Sequence, residues 1–72
     1  MAKNVDYRMK FVKDDNRDAV ATVRKNGKVD VNINIHNRNI EIVRHFDNIE
    51  DTIVGMEEMG YINGTRESVN KR

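Results

Sequence analysis

Cysteine is absent from this chain of 72 residues. No disulfide can therefore staple it and no thiolate can hold a metal, which suits a reducing compartment. The N-terminal MAKNVDYRMK has no apolar run of signal-peptide length, and nowhere is there a membrane-spanning stretch. A soluble, cytoplasmic protein is expected, in which the sequon Asn63-Gly64-Thr65 carries no meaning. Glycine occurs four times, and Gly27, Gly55, Gly60 and Gly64 match no phosphate-binding fingerprint. Aromatics make up 6%, too few to offer a stacking platform to single-stranded nucleic acid. A dominant sign of charge is missing as well. The net charge is +1, although residues 1–28 carry eight Lys/Arg against four Asp and residues 47–63 carry five acids and no base.

These shortages exclude most chemistry. Ser68 falls in a polar C-terminal stretch where no base could be held against it, and Thr22, Thr52 and Thr65 have no recognisable partner. Glu57 and Glu58 are adjacent on a helix and point outward, so they make no catalytic pair. A chain this short has little room for a water-excluding pocket. The protein is expected not to be an enzyme and to carry no cofactor. The histidines are the only soft metal ligands. His45 should lie opposite Asp30, but His36 is six residues along the strand from Asp30, roughly 20 Å away. One ion cannot take both within a monomer, and a structural zinc wants four ligands, so no metal site is expected.

What the chain does have is alternation. Val5, Tyr7, Met9 and Phe11 mark a strand over Val5–Val12. Polar Lys13–Arg17 reads as a loop, Asp18–Lys25 as a second strand, and Asn26-Gly27 as a hairpin turn. KVDVNINIH, residues 28–36, is a third strand; Asn37-Arg38 is a two-residue turn; Asn39–His45 is a fourth. The period then changes. Ile49, Ile53 and Met56 share one helix face over residues 48–59, with Asp47 or Asn48 as N-cap and Gly60 as the C-terminal stop. The expected fold is α+β: a four-stranded antiparallel meander packed on one face by a single helix (ββββα), forming one domain over residues 1–64, with residues 65–72 a frayed polar tail.

The turn at Asn37-Arg38 sets Asp30 opposite His45, Asn32 opposite Val43, Asn34 opposite Glu41 and Ile33 opposite Ile42. The Asn26-Gly27 turn admits two registers. A strict two-residue turn puts Val20, Thr22 and Arg24 on the helix side; a Gly bulge puts Ala19, Ala21 and Val23 there. The bulge is preferred because it buries three apolar residues in place of one. Ile33, Ile35, Ile40, Ile42, Ile49, Ile53 and Met56 should then share one core.

The other sheet face becomes the candidate working surface, carrying Arg8, Lys10, Arg24, Asn32, Asn34, His36, Asn39 and Glu41. Asn32, Asn34 and Asn39 are poor strand formers whose short amides both donate and accept, which suits recognition of a polar partner. The outer helix surface, with Glu50, Asp51, Glu57 and Glu58, is a second candidate. With no catalytic site and no strong basic footprint, the function expected is that of a small accessory or inhibitor protein of phage or mobile-element type. It would bind a protein partner through the sheet face or an edge strand, and an edge strand also admits a homodimer. The alternative partner is nucleic acid. In the order of its strands and helix the chain resembles the arm-binding domains of tyrosine integrases and the plant-type AP2 domain. That resemblance implies a sheet reading the DNA major groove, with Arg8, Arg24, Asn32 and Asn34 on base edges and Lys3, Lys10, Lys13, Arg17, Lys25 and Lys28 on phosphates.

Overall fold

A computed structural model describes the backbone of residues 5–68 and the side chains of residues 5–63. Strands β1 (Val5–Asp14), β2 (Arg17–Arg24), β3 (Val29–Ile35) and β4 (Ile40–Phe46) form the antiparallel meander. Helix α1 (Ile49–Glu58) follows, and a fifth strand, β5 (Ile62–Ser68), returns to pair with β1. The sheet order is β4-β3-β2-β1-β5. The architecture is α+β with one helix and an antiparallel sheet, but the sheet has five strands, not four. β5 takes in residues 62–64 at the end of the expected domain and residues 65–68 of the stretch expected as a tail; residues 69–72 lie outside those described, as does Lys3.

Each turn follows from its residues. Asp14 Oδ1 accepts the backbone N–H groups of Asn16 and Arg17 at 2.8 and 2.9 Å, an Asx turn that reverses the chain between β1 and β2. Gly27 sits at φ +92° and donates its N–H to the Arg24 carbonyl, while Arg24 N–H bonds the Lys28 carbonyl. This is the three-residue bulged hairpin, and it pairs Val23 with Val29. Ala19, Ala21 and Val23 accordingly face the helix and are buried. The third hairpin keeps the expected register, Ile35 opposite Ile40 and Asp30 opposite His45, but reaches it differently. A short 3-10 turn over His36–Arg38 precedes Asn39, which takes the left-handed conformation at φ 54°. The turn therefore uses four residues, and the asparagine with positive φ is Asn39, not Asn37. Asn16 clasps this turn to the first hairpin. Its carbonyl and Oδ1 accept from the N–H groups of His36 and Asn37, and its Nδ2 donates to Asn37 Oδ1.

The helix is closed at both ends. Asn48 is the N-cap, its Oδ1 accepting from Asp51 N–H at 2.8 Å. At the other end Gly60, at φ +91°, donates to the Glu57 carbonyl and Tyr61 to the Met56 carbonyl, the paired bonds of a Schellman motif. Thr52 and Met56 are its fully buried residues, and Ile49, Ile53 and Met59 pack at its margins. Thr52 buries its hydroxyl by donating it to the Asn48 carbonyl. No helix among the described residues is long and apolar enough to cross a membrane.

One part of the expected core is not in it. Ile40 and Ile42 are 44% and 41% exposed, whereas Ile33, the strand partner of Ile42, is 5% exposed. The helix path is the cause. α1 starts three residues after Phe46 at the end of β4, the Phe46 ring lies beside Gly55 in its second half, and Gly60, just past its end, lies beside the Lys13 side chain. Phe46 and Lys13 lie at opposite ends of the sheet. The helix thus crosses diagonally and leaves the Ile40 end of β4 uncovered. A helix is about 10 Å wide and five strands span about 19 Å, so a single helix cannot cover both edges.

Two substitutions test this packing. Ile33→Ala should cost about 2–5 kcal/mol and Ile42→Ala less than about 1 kcal/mol in urea denaturation; equal losses would place the helix over β4. Gly55→Ala would bring a methyl to 2.8 Å from Phe46 Cε2. It should lower stability despite the roughly 1 kcal/mol that alanine gains over glycine in helix propensity, because the ring must leave its packed position.

Candidate functional site

Strands β1 to β4 present alternate residues on the face away from the helix. Arg8 and Lys10 come from β1, Thr22 and Arg24 from β2, Asp30, Asn32 and Asn34 from β3, and Glu41, Val43 and His45 from β4. The sheet register brings most of these into three polar clusters. In the first, Asp30 receives Arg24 Nε at 2.7 Å and Nη2 at 2.6 Å on one oxygen and lies 2.7 Å from His45 Nδ1 through the other. In the second, Asn32 Nδ2 donates to Glu41 at 2.6 Å. In the third, Asp18 takes His36 Nε2 at 3.0 Å and Asn34 Nδ2 at 3.4 Å.

The acids are the centres of this arrangement. The His45 hydrogen bond, with the Arg24 guanidinium second, holds the Asp30 carboxyl below the ordinary aspartate value of 3.8. Asp18 is likewise lowered, chiefly by its bond to His36. Burial pushes the Tyr61 hydroxyl up, away from this face. Among the described residues no three His, Asp or Glu side chains converge on a point that could hold a metal. The concavity beside the β3–β4 turn is a depression of about 230 Å³ lined by Asn34, Ile35, His36, Asn39, Ile40 and Glu41. It is smaller than the clefts that enclose small ligands.

The candidate residues therefore divide. Arg8, Lys10, Arg24, Asn32, Asn34 and Glu41 lie on the open face of the strands. His36 and Asn39 belong to the turn at its end, and His36 joins the face only through Asp18. Glu50, Asp51, Glu57 and Glu58 line the exposed side of α1, where Asp51 also accepts from the Asn48 amide at 3.4 Å as part of the cap. The asparagines have structural tasks. Asn32 and Asn34 each give an amide N–H to a carboxylate, and Asn39 supplies a left-handed residue that asparagine tolerates better than most. Asp18 was not among the candidate residues, though pairing β2 with β3 on the bulged register already sets it opposite Asn34.

β4 is the outermost strand on its side of the sheet, and it is exposed on both faces. Ile40 and Ile42 stand uncovered on the helix side, and Val43 on the open face is 51% exposed. Its backbone is open too. The bonds Arg24 N–H to Lys28 carbonyl and His36 N–H to Asn16 carbonyl show that the even-numbered residues of β3 turn their polar groups to β2. Antiparallel alternation then points the odd ones at Ile40, Ile42, Arg44 and Phe46. The N–H and C=O groups of Glu41, Val43 and His45 face outward.

The depressed carboxyls have a pH signature. A folded-state value below the unfolded one stabilises the fold fully above about pH 4, and that contribution is lost as pH falls through the folded value. Urea midpoints should drop as pH falls below about 4, and Asp30→Asn should lower stability at pH 7 while shrinking this drop. An acid limb identical in Asp30→Asn and Asp18→Asn to that of the unaltered chain would show that neither carboxylate is held in this way.

No protein-family model, no curated protein and no solved structure matches this chain.

Proposed function

We propose that the protein is a non-enzymatic binding module that takes a protein partner along β4, by strand addition to the sheet edge. The observation that carries this is the exposure of β4 on both faces, with three large apolar side chains on an outermost strand. Soluble domains normally blunt or cover such an edge, because its unpaired amides and carbonyls accept any extended chain. Here Glu41, Val43 and His45 offer those groups, and Ile40, Ile42 and Val43 supply side-chain contact beside them. A module of this kind suits an accessory or inhibitor protein, of the type phages and mobile elements encode, which blocks one target by occupying its surface.

The open face supports recognition less well, whether of protein or of DNA. Arg24 is committed to Asp30, and the donors of Asn32 and Asn34 are committed to Glu41 and Asp18. A base edge would have to break each of these bonds before it could be read. The acidic helix surface is weakened as a docking site by the use of Asp51 in the cap.

Capture of a partner from a host lysate should be lost with Ile42→Lys or Val43→Lys and kept with Glu57→Lys combined with Glu58→Lys. Loss with the helix pair alone would move the working surface to α1. Random duplex DNA should bind weakly near physiological salt; submicromolar binding that falls steeply with salt and is weakened by Arg8→Ala would overturn the proposal in favour of the sheet face.

A further inference from the structure

The geometry points to a second copy of this chain as the occupant of the β4 edge, joined antiparallel about a two-fold axis at Val43. This rests on β4 being the working edge: the second copy fills that edge when no target strand does, so dimer and target compete for it. A two-fold pairing brings the same strand from each copy together, so the strand must be complementary to its own reverse. β4 is. Centred on Val43, the pairing sets Ile40 against Phe46, Glu41 against His45 and Ile42 against Arg44 of the second copy, and uses all seven residues of the strand. The residues that meet, Glu41, Val43 and His45, are those whose backbone groups point outward, so the ladder continues without a gap.

Charge selects this register over its neighbours. Glu41 and His45 lie on the same face, and each is already anchored, Glu41 by Asn32 and His45 by Asp30. Their opposition joins the clusters of the two copies into one chain: Arg24, Asp30 and His45 of one, then Glu41 and Asn32 of the other. Symmetry makes this chain twice. A pairing centred on Glu41 sets two carboxylates face to face, and one centred on Arg44 does the same with two guanidiniums. Centring on Ile42 sends His45 against Asn39, whose left-handed backbone lies beyond the strand. The helix-side face also gains. The uncovered Ile40 meets the Phe46 ring, and Ile42 lies against the aliphatic stem of Arg44, whose charged head stays in water.

Sedimentation equilibrium of the full chain, from about 1 to 300 µM near physiological salt, tests this. A reversible monomer–dimer equilibrium is expected. Glu41→Lys should weaken it by about tenfold, the equivalent of 1.4 kcal/mol, and adding His45→Glu should recover most of the loss. Because His45→Glu also faces Asp30, cysteine placement provides a second readout in a chain that has no thiol. Val43→Cys stands on the axis, with its Cα about 5.5 Å from its own copy, and should cross-link under mild oxidation. Ile42→Cys and Val54→Cys should not. Cross-linking of all three alike would overturn the proposal, as would a monomer throughout the range. A monomer whose capture of a host protein is still lost with Ile42→Lys sinks the dimer alone; a monomer whose capture that substitution leaves unchanged sinks strand addition as well.

Discussion

One helix of ten residues has to close a sheet of five strands. That mismatch in width governs the molecule. The helix takes a diagonal course from Phe46 to Lys13 and spends its coverage on the middle strands, where Ala19, Ala21, Val29 and Val31 are sealed together with Phe11 and Met56. On the helix side, Gly55 makes room for the Phe46 ring. A wider helical layer would have hidden Ile40 and Ile42. The narrow one leaves them in water on a strand that the sheet order already places outermost.

The opposite face solves a different problem. Asp18, Asp30 and Glu41 would repel one another on a bare sheet, yet each is met across a strand boundary by a donor or a cation. These pairs are partly exposed, so each adds little to stability alone. Their larger effect is on register. Sliding any strand by one residue would send a carboxylate to the apolar side and leave its donor unmatched, which penalises the slipped sheet. Asn32 and Asn34 take part in this matching, and Asn39 in the reversal of the chain.

The meander was legible in the sequence because its strands alternate cleanly and its turns carry strong local signals. Val29 to Ile35 could lie only one way against a core, and Asn26-Gly27 with two alanines upstream identified the bulged register. β5 was not legible. INGTRES has no apolar alternation, and Asn63-Gly64 reads as a turn. The strand forms because the β1 backbone offers it a partner, and a shift in register between Met9 and Phe11 absorbs the extra residue there as a bulge. The exposure of Ile40 and Ile42 was hidden for a related reason: pattern shows which face a residue takes, and only the tertiary path of the helix shows how far that face is covered. Of the candidate site, the placement on strand faces was legible. The commitment of Arg24, Asn32 and Asn34 to internal partners was not, since it depends on side-chain reach across two strands.

β5 also gives the fold a temporal order. Strands β1 to β4 are joined by turns of two to four residues, so each pairing closes a short loop at small entropic cost. The pairing of β5 with β1 joins Tyr7 to Ser68 and encloses nearly the whole chain. Loop entropy therefore favours a sequence in which the hairpins zip first, the helix docks across them, and β5 arrives last. Until it arrives, β1 is an open edge as well. In that interval the sheet has two unpaired borders, and the seven residues of β5 close one of them.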